Sequence, residues 1–116
     1  MKQIRPQIGD WFSFYDAIDN NTRQWVVSDY AKYSQVEVEG VTLTKYLLLL
    51  NGFKPLKGCW GYILRIEGIT IELNTEIIVS IKGKGSFHLP SPQYVHEYQQ
   101  ILRVCGLIEL ADNFRL

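Results

Sequence analysis

The stretch Leu43-Thr44-Lys45-Tyr46-Leu47-Leu48-Leu49-Leu50-Asn51-Gly52-Phe53 constrains the fold more than any other part of this chain. It is the most apolar run, and the only one with a start and a stop signal a helix apart. Thr44 can accept a backbone N–H as N-cap, and Asn51-Gly52 supplies residues that tolerate a left-handed C-terminal turn. The pattern predicts a short buried helix with Phe53 folding back onto its last turn. Segments before it read as β-strands, and those after it as a second β-unit closed by a second helix.

At 116 residues the chain is sized for one domain with one core, because smaller domains bury too little of their surface. A single domain over 1–116 is expected, with a β-meander over 1–40 and the helices and second meander over 41–116. Apolar content of 47% against 21% charged is that of a globular protein and argues against disorder. The 12 basic side chains are balanced by 12 acidic ones. That balance gives no electrostatic footprint for tight nucleic-acid binding, which depends on clustered Lys and Arg. No run approaches the roughly 20 apolar residues that span a bilayer, and the start Met1-Lys2-Gln3-Ile4-Arg5-Pro6 has no apolar signal core behind its charges. A cytoplasmic protein without a membrane partner is expected. Cys59 and Cys105 form no CxxC pair and read as buried thiols.

Along the chain, Gly9-Asp10 opens the aromatic run Trp11-Phe12-Ser13-Phe14-Tyr15, a first strand whose Phe12 and Phe14 should face the core. Asp16 to Arg23 is rich in residues that hydrogen-bond their own backbone and reads as a hairpin loop. Gln24–Tyr30 and Gln35–Gly40 return as second and third strands, completing an antiparallel meander that could close into an SH3-like barrel. After the central helix, Lys54 to Gly58 is a connection. Cys59–Ile66, Ile69–Leu73 and Ile77–Ile81 are strands, the second with Ile69, Ile71 and Leu73 inward, and Gly83-Lys84-Gly85-Ser86 is a flexible tip. Ser91 as N-cap and Pro92 at the first helical position start a helix to about Val104, with Val95, Tyr98, Leu102 and Cys105 on its apolar side. Leu107–Leu110 reads as a short strand, and Ala111 to Leu116 as a fraying tail. The fold class is therefore α+β.

Leu43-Thr44, the Leu-rich turn, Asn51-Gly52-Phe53, a Trp-containing strand and Tyr94-Val95-His96-Glu97-Tyr98-Gln99 occur in an order that resembles small uncharacterised proteins of Bacteroidetes genomes and their prophages. Those begin with an Ile-Gly-Asp/Asn strand and end in a Val-His-x-Leu-Gln helix. This chain differs at Tyr98, where that pattern has Leu. The resemblance implies a phage or mobile-element setting and no assigned activity.

Two groups of residues are candidates for binding a partner. Trp11, Tyr15, Trp25, Tyr30 and Tyr33 crowd one small sheet with limited room inside, so some rings should remain outside, where aromatics stack on peptides or bases. The alternative is a satellite core against the central helix. His96, Gln99, Gln100 and Arg103 share one helix face at offsets of three, four and seven, suited to an anion or a partner backbone, or simply to solvent. His88 and His96 have no Asp or Cys at ligand spacing, so neither a metal nor a cofactor is expected. Gly83-Lys84-Gly85 lacks the frame of a phosphate loop, with Gly where the hydroxyl residue belongs. Asp16, Asp19, Asn20 and Asn21 lack the positions of a calcium loop and read as turn residues.

No activated nucleophile or convergent carboxylate pair is visible, which favours a non-catalytic accessory or protein-interaction domain over an enzyme. Its partner would be an unidentified protein or a second copy, since a meander has free edges. The alternative is a nucleic-acid-associated SH3-like module, with Lys2, Arg5, Arg23 and Lys32 gathered beside the aromatics. A weaker alternative, a small hydrolase using His96, needs a carboxylate or nucleophile brought within its reach.

Overall fold

The computed structural model describes residues 9–16, 21–26, 39–58 and 60–116, with side chains for 9–13, 40–58 and 60–116. The architecture is α+β, with strands β1 (Trp11–Asp16), β2 (Asn21–Val26), β3 (Glu39–Gly40), β4 (Lys54–Pro55), β5 (Tyr62–Ile66), β6 (Ile69–Leu73), β7 (Glu76–Ile81) and β8 (Gly85–Pro90). The helices are α1 (Lys45–Leu50), α2 (Val95–Val104) and α3 (Ile108–Asp112). The described residues fall into two compact units, one up to Thr42 together with Gln93–Asn113, the other Leu43–Pro92 with Phe114–Leu116. The sequence grouping set the closing helix with the second meander; α2 instead belongs to the unit of the N-terminal strands.

In the first unit the strand order is β2-β1-β3. A meander would have put the third strand beside the second. Here β3 pairs with β1, Phe12 opposite Gly40 and Ser13 opposite Glu39, so β1 is central. The expected loop over 16–23 is shorter than its composition implied, because the β1–β2 ladder continues to Asp16 opposite Asn21. Cross-strand pairing there outweighs the turn preference of Asp and Asn. Among the described residues neither sheet closes into a barrel.

Helix α2 begins at Val95, later than the Ser91-Pro92 signal predicts. Tyr94 is held extended by a bridge to Thr42, and the Val95 N–H donates to the Val41 carbonyl at 2.8 Å. Glu97, three residues on from Tyr94, accepts from the backbone N–H groups of Gln93 and Tyr94, both at 3.1 Å, satisfying donors that a helix start otherwise leaves open. The predicted apolar side is buried as expected at Val95, Tyr98, Leu102 and Cys105.

Leu107–Leu110 is not a strand. Ile108–Asp112 forms α3, and its Ala111 is fully buried. Five residues cannot hold a helix by propensity alone. Contacts from α2 to Ala111 and Asp112, described below, supply the difference.

In the second unit α1 starts and stops where the sequence signals place it. The Thr44 hydroxyl accepts from the Leu47 N–H at 3.3 Å. At the other end Gly52, at φ +92, lets the Phe53 N–H reach the Leu48 carbonyl (3.0 Å) and its own N–H the Leu49 carbonyl (3.2 Å). This is a Schellman motif, and Gly106 closes α2 the same way through Leu107 to Leu102 and Gly106 to Arg103. Only Leu47 and Leu48 of α1 are buried; Tyr46, Leu49 and Leu50 are exposed, so the helix is not buried all round.

The five-stranded antiparallel sheet runs β4-β5-β6-β7-β8 and is open, with β4 and β8 at its edges. One face carries Leu64, Ile71, Leu73, Ile77 and Val79, all buried. Two strands were not anticipated. Lys54–Pro55, read as a connection, pairs with β5, and Gly85–Pro90, read partly as a loose tip, pairs with β7 along its length. Conversely, β5 begins only at Tyr62, leaving Trp60 outside it. The tail is tied down: Phe114 is buried, and the Asn51 side chain bonds both the N–H and the carbonyl of Arg115 at 2.8 Å.

Candidate functional site

The polar face of α2 is turned inward, with His96 and Gln99 buried and Gln100 and Arg103 half-buried. Gln99 is fully buried, and its amide completes three backbone groups of the first unit. Its Oε1 accepts from the Trp11 N–H at 2.9 Å, and its Nε2 donates to the carbonyls of Gly9 (2.8 Å) and Ala111 (2.9 Å). One side chain thus joins the entry to β1 with α3. Beside it Asp10, also fully buried, accepts from Gln100 Nε2 at 2.8 Å and from Arg103 Nη1, while Arg103 Nη2 reaches Asp112 at 3.2 Å. The carboxylate is taken from water but receives two donors, one of them cationic, which is the condition for burying it.

His96 is buried and stacks on the ring of Phe12, with centroids 4.6 Å apart and planes at 24°, and on Tyr94 at 5.7 Å and 15°. Gly40 of β3 lies so close that a Cβ there would stand 2.8 Å from the Tyr94 ring and 2.9 Å from His96. These four predicted residues come together around the start of β1, where they are engaged within the protein. Of the aromatic group, Trp11 opens β1 and is half-buried. Tyr15 and Trp25 sit on β1 and β2, Trp25 opposite Phe12, and their side chains lie outside those described. Tyr30 and Tyr33 lie outside the described residues, as do Cys59, Lys2, Arg5, Lys32 and the side chain of Arg23.

A different surface presents an aromatic ring. The Leu56 N–H donates to the Gly61 carbonyl at 2.9 Å, closing a short loop that carries Trp60. A side chain at Gly61 would lie 2.8 Å from the Leu73 carbonyl, so the loop approaches β6 closely there. Trp60 is 94% exposed. It borders a groove of about 440 Å³ to which Leu43, Lys45 and Leu48 contribute from the α1 side and Tyr62 and Leu73 from the sheet. Pro55 and Pro92 also line it, and Lys45 is the one charged residue among the described residues that line it. The sequence reading placed Trp60 within a strand. The signal that could have found it is the pair of glycines, Gly58 and Gly61, around it.

Among the described residues, no three His, Cys, Asp or Glu side chains come together as a metal site, and no helix is long and apolar enough to cross a membrane. His88 faces Glu76 at 3.4 Å on the exposed side of the sheet. The fold and this groove define a small α+β protein with an aromatic surface cleft. Comparison of the chain with protein-family models, curated proteins and solved structures returns no match.

Proposed function

We propose that this chain is a non-catalytic protein-interaction domain, and that the groove beside Trp60 receives an extended, proline-rich segment of a partner protein bearing an acidic residue. The observation that carries this reading is the almost complete exposure of a tryptophan at the edge of an apolar groove. Exposing a ring of that size forgoes its burial energy, and tryptophan is the residue type that most often dominates a protein interface. Proline-rich peptides enter grooves lined by aromatic rings because their backbone is already extended and loses little entropy on docking. Trp60, Tyr62, Pro55 and Pro92 offer that lining, and Lys45 supplies charge for one carboxylate. Engagement of His96, Gln99, Gln100 and Arg103 inside the first unit supports a packing role for that face. The resemblance to prophage-associated proteins is the ground for proposing a mobile-element setting for such an accessory role.

The test is tryptophan fluorescence of the full chain titrated with a short synthetic proline- and leucine-rich peptide carrying one glutamate, alongside its glutamine counterpart. Wild type should prefer the glutamate peptide. Trp60→Ala should weaken binding by at least about tenfold while stability changes by less than about 0.5 kcal/mol, since the ring is exposed. Lys45→Glu should reverse the preference. Failure of wild type to bind either peptide, or binding indifferent to Trp60, refutes the reading.

A further inference from the structure

We infer that β8 is the interface of a two-fold dimer, pairing antiparallel with β8 of a second copy to join two five-stranded sheets into one. β8 is an edge strand, and all six of its residues, including Phe87 and Leu89, are exposed. An open edge of this kind is a template for another strand.

The register shows which backbone groups are on offer. Pro90 pairs with Glu76 but has no N–H, so that pair cannot be one that exchanges two ladder bonds. By alternation the N–H and C=O groups of Ser86 and His88 also point away from β7, toward the free edge. Pairing Ser86 with His88 of the second copy matches every one of those donors and acceptors and asks nothing of the missing proline N–H.

The side chains fit the same register. Phe87 then faces its own copy on the axis, and aromatic cross-strand pairs are favourable. Leu89 falls opposite Gly85, where there is no side chain to obstruct it. A strand complementary to itself in apolar shape and in backbone donors and acceptors specifies a second copy of this chain rather than an unrelated strand.

Sedimentation of the full chain over a range of concentrations should show a reversible dimer. Ser86→Pro removes an outward donor without touching a β7 bond, and should give a monomer with the far-UV spectrum of wild type. Independently of that variant, Phe87→Cys should form a linked dimer on mild oxidation, because residues facing each other in such a pair have Cα atoms about 4.5 Å apart. Leu89→Cys should not. A wild type that stays monomeric at every concentration it tolerates overturns the inference. So does a dimer that survives folded Ser86→Pro, or one that Leu89→Cys links as readily as Phe87→Cys.

Discussion

Gln99 carries more of the first unit than any apolar residue of its size could, because its three bonds tie backbone groups of Gly9, Trp11 and Ala111 together through one buried amide. Gln99→Leu keeps the volume and removes these three bonds from two carbonyls and one N–H that are buried or part-buried, each worth about 1 kcal/mol or more. A loss of about 3 kcal/mol or more in urea unfolding is expected. Tyr98 acts through its proton. Burial holds its phenol well above the ordinary value of 10.0. Above that pH the unfolded chain releases the proton and the folded chain keeps it. Stability should therefore fall by about 1.4 kcal/mol per pH unit on the alkaline side. It is fully present below pH 10.0 and declines upward, and Tyr98→Phe should flatten that limb relative to wild type in unfolding curves taken at successive alkaline pH values. Neither role was legible at the residue level. Helical spacing grouped Gln99 with His96, Gln100 and Arg103 as one polar face, but polarity of a side chain does not say whether its partner is water or a buried carbonyl.

At the scale of elements, legibility follows how local the determining contacts are. α1 was readable at both ends because a Thr N-cap and an Asn-Gly stop act within one turn of the helix. Asn51 nevertheless does something no local rule predicts, holding Leu47 O and both backbone groups of Arg115. Asn51→Ala should cost about 1–2 kcal/mol and, in hydrogen exchange, strip protection from the Arg115 amide while leaving the β6–β7 ladder protected. The start of α2 was misread because Ser91-Pro92 has the right composition, yet Tyr94 is kept extended by Thr42, a residue far away in sequence. β8 was missed for the opposite reason: glycine, serine, histidine and proline have weak strand preference, and pairing with β7 alone organises them. α3 is the same lesson in helical form, five residues too few to hold a helix alone and fixed as one by bonds from Gln99 and Arg103.

Across the whole molecule, the α+β class, the existence of α1, strands β5 to β7 and α2 in that order, and the inward Ile71 and Leu73 follow from periodicity and turn residues, while Ile69, expected inward with them, is only half-buried. Those signals are short-ranged, and the chain alone determined them. Strand order was not so determined. Whether β3 lies beside β2 or β1 leaves the alternation of every strand unchanged, so only the pairing of Phe12 with Gly40 decides it. The same holds for α2, whose apolar stripe would suit either sheet. Its buried glutamine, its Arg103 and the matching Asp10 assign it to the N-terminal strands. The display of Trp60 and the freedom of the β8 edge belong to this second class as well. Exposure depends on what the rest of the chain leaves uncovered, and a linear pattern of residues carries no record of that until the tertiary contacts are made.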